Sequence, residues 1–347
     1  MVIINARFLT QKITGVQRFA IEICRALKKL NPDVIFVCPH NILNKELAAE
    51  LDAVVIGKRT GNIWEQVDLR NYLIANNKPV LINLCNTGLL FYRNQIVTIH
   101  DMSYKVNPSW FSKKFYYWYN FLIPHIANNS LKILTVSNSS KDDIIKFLRL
   151  PAHKIKVIYN ATSMNIPENQ DPFPVQDKYL LTISSLDPRK NLTNLITAFN
   201  DLDSNVKLVI VGLKSDNFAA AFDSKLINEK VIIKGYVSDR DLANLIKHAE
   251  AFIYISLYEG FGLPPLEAMQ LECPVILSNI PVHKEIYNDS ALYADPNNVK
   301  DIRNKITNLL GDDNLKKQLI LKGNNNIKRF SWDNSAKELL SIINELV

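Results

Sequence analysis

The sequence predicts an α/β protein of two domains, each a doubly wound parallel sheet, and three observations predict it. Short apolar runs at residues 34–37, 54–56, 80–82, 96–99, 133–136, 179–183, 206–211, 231–237 and 251–255 alternate with stretches of helical period. That alternation is the mark of a parallel sheet covered on both faces. A chain of 347 residues can bury two cores of ordinary size. Finally, several of the runs pass directly into polar or glycine-bearing loops that open a helix, the place where such sheets bind ligands.

In order along the chain, residues 1–7 form a first strand with neither the basic start nor the longer apolar core of a signal peptide, so a cytoplasmic protein is expected. Residues 11–18 are a loop running into a helix: Thr14 is a candidate N-cap, and Val16, Phe19, Ala20, Ile23, Leu27 and Leu30 share one face. His100 and Asp101 stand at the end of the 96–99 strand. Residues 109–124 hold Lys113, Lys114, Phe115, Tyr116, Tyr117, Trp118, Tyr119 and Phe121. Rings with wet polar heads beside lysines suit a membrane interface, and they equally suit a helix that packs one aromatic face on its own domain. Ser137 to Ser140 cap a helix over 141–148, and 156–160 closes the first domain. Pro167, Pro172 and Pro174 among polar residues mark a linker at 166–178, which divides a domain of residues 1–165 from one of residues 179–330. A last helix covers about 331–346.

The bulk numbers exclude several classes. No apolar run approaches the roughly 20 residues of a membrane-spanning helix. The net charge of +7 is spread without a long basic block, and no nucleic-acid-binding pattern is present, so a sugar nucleotide or an acidic membrane surface is the better match for the charge. Cys24, Cys38, Cys85 and Cys273 lie apart among apolar neighbours, as reduced buried thiols do, with no metal-ligand spacing.

Two stretches carry chemistry. In Glu259-Gly260-Phe261-Gly262-Leu263-Pro264-Pro265-Leu266-Glu267 a strand passes through a glycine loop into a helix, with Pro265 expected in the first turn and Glu267 beside it at the positive end of the dipole. Bare loop amides and a helix start together receive an anion such as phosphate. The two carboxylates have different addresses, so they suit two parts of one ligand better than one shared proton. In Ser184-Ser185-Leu186-Asp187-Pro188-Arg189-Lys190-Asn191, two adjacent cations follow a strand, which suits a diphosphate whose charge grows as a bond to it breaks.

The first stretch, extended through Ala268-Met269, resembles the signature of retaining glycosyltransferases of the GT-B fold, family 4, and Pro188-Arg189-Lys190-Asn191 is similar to that family's phosphate-binding element. The resemblance implies two Rossmann-like domains facing a central cleft, donor on the second and acceptor on the first, with the 331–347 helix returning to the first domain. By the same resemblance Glu267 holds ribose hydroxyls, Glu259 holds the transferred sugar, and the Gly260, Phe261, Gly262 and Leu263 segment faces sugar and phosphate. Arg189 and Lys190 meet the diphosphate, Gly235, Tyr236 and Val237 meet the base through their backbone, and Gly15 and His100 contact the donor. Arg18 and Asp101 are acceptor candidates. The chain departs from the pattern at Ser184 and Glu272, where glycine is usual.

The implied activity is a retaining transfer that needs no metal and no cofactor beyond its co-substrate. It moves a hexose, first choice mannose from GDP-mannose, to a glycan or lipid-linked acceptor in surface-polysaccharide assembly. Lys113, Lys114, Tyr116 and Trp118 are the candidate contacts to the inner leaflet. A UDP- or dTDP-sugar donor and a non-catalytic sugar-nucleotide binder stay open as alternatives. A glycosidase has no use for the Arg189–Lys190 pair, and a nicotinamide enzyme needs a GxGxxG that this chain lacks, Gly212 standing alone.

Overall fold

The structure, a computed structural model, describes residues 1–164, 177–212 and 226–346. The chain divides into two compact units, one of Met1–Asn160 with Ser331–Val347 and one of Ala161–Phe330. Of the expected linker, only Asp177 and Lys178 lie within the described residues.

The first unit carries seven parallel strands: β1 (Val2–Asn5), β2 (Ile35–Cys38), β3 (Val54–Val55), β4 (Val80–Asn83), β5 (Gln95–Thr98), β6 (Lys132–Thr135) and β7 (Ile155–Val157), in the order β3-β2-β1-β4-β5-β6-β7. Ile3 lies opposite Ile35 on one side and Leu81 on the other. All four residues of β1, of β4 and of β5 are buried, as the unbroken apolar runs require of a sheet covered on both faces. β3 is the exception: it stops at Val55, and both its valines are exposed, because it is an edge strand.

The second unit carries β8 (Tyr179–Ile183), β9 (Lys207–Val211), β10 (Val231–Lys234), β11 (Ala251–Tyr254), β12 (Val275–Ser278) and β13 (Leu292–Ala294), all parallel, in the order β10-β9-β8-β11-β12-β13. Both sheets reverse their winding once, at β1/β4 and at β8/β11. The loops leaving those strands therefore flank a crevice at the carboxyl edge of each sheet.

Helices close the faces. α1 (Gly15–Leu30) starts at Thr14, whose N–H donates to Gln17 Oε1 at 3.2 Å, and it buries Phe19, Ala20, Ile23 and Leu27. α2 (Lys113–Asn129) is capped by Ser112, and α3 (Asn138–Leu148) by Ser137, three residues ahead of the expected start. α2 divides its aromatic residues: Phe115, Tyr116 and Tyr119 pack with Leu122, Ile123 and Ile126 on the core, while Tyr117 (69% exposed), Trp118 (39%) and Phe121 (47%) face outward. Lys113 and Lys114 are exposed as expected, but Tyr116 lies on the core side, because it falls on the inward stripe of the helix. In the second unit follow α4 (Leu192–Asn200), α5 (Asp239–Lys247), α6 (Leu263–Gln270), α7 (Pro281–Tyr287), α8 (Val299–Gly311) and α9 (Asp313–Asn326). α10 (Trp332–Asn344) packs along α1 in the first unit, Trp332 lying 6.1 Å from Phe19 and Ser335 Oγ donating to Tyr159 O at 2.7 Å.

The two unusual residues found in the sequence have structural explanations. Ser184 N donates to Val211 O at 2.9 Å, and its carbonyl lies 2.8 Å from where a Cβ on residue 212 would stand. The close approach is met from the other side, by Gly212 at φ +97°. Glu272 sits in the left-handed region at φ 58°, between α6 and β12. A side chain there costs roughly 1 kcal/mol. Glu272→Gly is expected to raise the melting midpoint of its unit by about 2–4 °C; an unchanged or lower midpoint in a thermal scan would show that no strain is held there.

Candidate active site

The second unit's site is assembled from the two loops at its switch point. After β8 the chain makes a short turn over Pro188–Lys190, capped by Asp187, and Asn191 takes the left-handed conformation (φ 55°) before α4 begins. After β11 the chain runs through residues 255–262 into α6. Lys190 from the first loop donates through Nζ to Glu259 Oε1 of the second at 2.7 Å and to the Tyr254 hydroxyl, and its ammonium stands 4.8 Å from the Tyr254 ring centre. Both charged side chains are largely buried. Burial opposes ionisation of Glu259, but the Lys190 charge and hydrogen bond outweigh it and bring its pKa down to about 2. Lys190 is raised above its ordinary value despite burial, by Glu259 and Tyr254.

The glycine loop is fastened along its length. Leu257 N donates to Arg189 O at 2.7 Å, and Ser278 Oγ at the end of β12 donates to Ser256 O at 2.6 Å. The Phe261 ring is buried edge-on to Phe330 at 5.7 Å. Gly262 is the left-handed N-cap of α6 (φ 87°), and its carbonyl accepts from the Tyr287 hydroxyl. A Cβ on Gly262 would stand 3.2 Å from His283 Nε2. His283 is fully buried, and burial lowers its pKa to about 4, so it is neutral.

The remaining expected residues of this unit fall as follows. Arg189 is folded onto its own turn, Nε and Nη2 donating to Asp187 Oδ2 at 2.8 and 2.5 Å. Glu267 is buried; α6 begins at Leu263, which puts Pro265 in the first turn as expected but makes this glutamate the fifth helical residue, so no acidic residue occupies the first turn. Two of the first three helical positions are prolines, which donate nothing; Leu263 is the first that does. β10 stops at Lys234, and Gly235 turns its carbonyl to Gly212 N at 3.2 Å, leaving Val237 half-buried and Tyr236 88% exposed. The two Asp-x-Asp triplets of the chain sit at helix ends: Asp201 is the C-cap of α4, and Asp239 and Asp241 form the first turn of α5.

His100, Asp101, Gly15 and Arg18 belong to the first unit. His100 is buried after β5, edge-on to Phe19 of α1 at 5.0 Å. Its Nε2 lies 2.9 Å from Leu84 O, an acceptor, which puts the proton on Nε2; burial lowers its pKa, so the ring is neutral. Asp101 Oδ1 accepts from Ser103 N at 2.8 Å. Gly15 opens α1 with open space where a Cβ would be, so packing within the described residues does not demand a glycine there, and Arg18 follows one turn on, half-buried.

Sequence reasoning missed two groups. At the β1/β4 switch point Asn5 donates to Glu65 (2.6 Å) and Asn83 (2.9 Å), Thr87 donates to Glu65 (2.9 Å), and Arg7 Nε lies 3.5 Å from the same carboxylate. Burial pushes the Glu65 carboxyl up against the pull of Arg7. Asparagine ending an otherwise apolar strand, twice over, was the available signal. The second group is His283 and Tyr287, whose four-residue spacing put them on one helical face.

The Glu259 shift fixes a pH dependence. A carboxylate held below its ordinary pKa stabilises the fold fully above about pH 4.5 and loses that contribution as pH falls through about 2. In denaturant titrations, the stability difference between wild type and Glu259→Gln should be constant above about pH 4.5 and shrink toward pH 2; a difference that does not change with acid would refute the ion pair.

Residues 165–326 match the family Glycosyl transferases group 1, and residues 13–165 match Glycosyltransferase Family 4. The chain is 28% identical over 359 residues, 96% of both chains, to the O-antigen chain mannosyltransferase RfbU of Salmonella typhimurium. It is 32% identical over 262 residues to the O-antigen chain mannosyltransferase B of Escherichia coli, covering 71% of this chain and 69% of that protein. Among solved structures, sucrose-phosphate synthase from Thermosynechococcus elongatus (TM-score 0.77, 14% identity, 99% and 98% of the two chains) shares the fold. So does Anabaena HepE in complex with UDP and glucose (0.75, 16%, 99% and 100%). Family matches that together run from residue 13 to 326, mannosyltransferase relatives matched over 96% and 69% of their length, and two parallel α/β units make this chain a member of the group 1 glycosyltransferases, an enzyme of the GT-B fold.

Proposed function

We propose that this glycosyltransferase moves a hexose, mannose from GDP-mannose first, onto a glycan or lipid-linked saccharide in surface-polysaccharide synthesis, with retention of configuration and without metal or cofactor. The observation that carries the reading is the Lys190–Glu259 pair at the β8/β11 switch point, beside the glycine start of α6. A fixed cation beside the glycine loop and the helix start suits a diphosphate leaving group, whose charge grows as the glycosidic bond breaks. Glu259, ionised at every working pH, accepts hydrogen bonds from sugar hydroxyls, and Glu267 takes the ribose. The acceptor hydroxyl gives its proton to the departing phosphate oxygen, so the protein orients and stabilises charge rather than supplying a base. The mannosyltransferase relatives favour mannose. The HepE structure with UDP and glucose keeps a UDP-sugar donor as the second reading.

The outward face of α2 supports an address on the cytoplasmic face of a membrane. Tyr117, Trp118 and Phe121 stand exposed beside Lys113 and Lys114, and residues 88–130 hold Asp101 as their single acidic residue. Among the described residues no helix is long and apolar enough to cross a membrane.

Thermal stabilisation by GDP, UDP, dTDP and CDP tests the donor: one nucleoside diphosphate at a hundredfold excess over its Kd should add about 2.7 kcal/mol, and a shift with NAD alone would overturn the reading. Glu259→Ala should cut sugar transfer by about a hundredfold with nucleotide affinity nearly kept, whereas Lys190→Ala should weaken nucleotide binding by at least about tenfold; equal losses of affinity would break the division of roles. For the membrane, Tyr117→Ser/Trp118→Ser/Phe121→Ser should abolish preferential co-sedimentation with anionic over neutral vesicles at unchanged melting midpoint, and a wild type with no such preference ends the idea.

A further inference from the structure

Behind the glycine loop stand two buried side chains to which the reaction outlined above gives no role. Tyr287, the last residue of α7, donates its hydroxyl hydrogen bond to the Gly262 carbonyl. In a trans peptide the C=O and N–H point in opposite directions, so pinning the Gly262 oxygen on Tyr287 turns the Leu263 N–H away from α7. Leu263 is the first residue of α6 and has no acceptor within the helix. Pro264 and Pro265, next in line, have no N–H, so the Leu263 amide is the first donor the helix offers.

His283 completes the clamp. The Ser278 hydroxyl gives its proton to Ser256 O (2.6 Å), so it can only accept from His283 Nδ1, 3.0 Å away, as does Ser278 O at 3.0 Å. The proton is thereby assigned to Nδ1, and Nε2 is a bare lone pair, buried, without a partner among the described residues, directed at Gly262. The ring fills the space of a side chain at position 262 and holds that residue in its left-handed turn.

We propose that Tyr287, backed by His283, is a positioning residue that aims the Leu263 N–H at a phosphate oxygen of the donor's leaving group. The inference rests on the donor reading above and adds to it the support that sets the direction of one hydrogen bond. Burial raises the pKa of the Tyr287 hydroxyl well above its ordinary value, so it remains a donor at any working pH.

Tyr287→Phe tests it against Tyr179→Phe. Tyr179 is a buried tyrosine of the same unit, donating to Leu245 O at 2.8 Å from the amino end of β8, the far end of the sheet from the loop. Both variants remove one buried hydroxyl, so a structural role alone predicts the same loss in each. The expected result is that Tyr287→Phe weakens binding of GDP, or of whichever nucleoside diphosphate the wild type binds, by about tenfold, while Tyr179→Phe leaves it unchanged. In 15N-leucine-labelled protein the Leu263 amide should shift downfield on adding that nucleotide, and the shift should shrink in Tyr287→Phe. A Tyr287→Phe protein with wild-type affinity, equal losses in the two variants, or a Leu263 amide that does not move in the wild type overturns the proposal. A wild type that binds no nucleoside diphosphate overturns the donor reading, and the role of Tyr287 with it.

Discussion

The second unit depends on one interaction, the buried contact between Lys190 and Glu259. Each charge alone would be costly to hold away from water, and each makes the other tolerable. Because the two residues come from the loops after β8 and β11, the contact closes the gap that the reversal of winding leaves between adjacent strands. The other fastenings follow from it in space. Arg189 O takes Leu257 N one residue from Lys190, Ser278 takes Ser256 O, and Tyr287 takes Gly262 O, so the glycine loop is held from three elements, the turn after β8, β12 and α7.

The first unit solves the same geometric problem with the same pair of charges. At its own switch point Arg7 meets Glu65, and asparagines from two neighbouring strands satisfy the carboxylate or extend its network. Glu65 lies on a π-helical turn, Trp64–Leu69, an uncommon form found frequently at functional sites. A cation and a carboxylate joined beyond the strand ends are thus a shared property of the two sheets, although the units have different ligands in the proposed reaction.

What the sequence disclosed and what it withheld divide along a physical line. Signals local in the chain were readable: the alternation of apolar runs and helices, Thr14 and Ser137 as caps, the glycine loop from strand into helix at 259–267, Arg189 and Lys190 after a strand. Contacts between residues distant in the chain were not. Nothing local says that Lys190 reaches Glu259, sixty-nine residues on, or that Tyr287 returns to Gly262. Arg189 is a subtler case: Asp187, two residues earlier, holds its guanidinium, and that local partner went unread. Pro265 was rightly placed in the first turn of α6, but Glu267, expected beside it there, falls just beyond that turn because the helix begins at Leu263. In α2 the aromatic density was legible, but the division between inward and outward rings needed the helix's rotation against its core.

The prolines at the start of α6 have a consequence for the thermodynamics of recognition. Pro264 and Pro265 fix two successive φ angles, Gly262 is confined by the His283 ring, and its carbonyl is tied, so the backbone proposed to meet the donor's phosphate has little internal freedom left before any ligand arrives. A loop that must be ordered on binding shows a large entropy loss and an affinity reduced to match; one ordered in advance does not. In this protein that conformational entropy was given up when the chain folded, so the proposed association with a donor's phosphate is opposed mainly by desolvation and by lost translation and rotation.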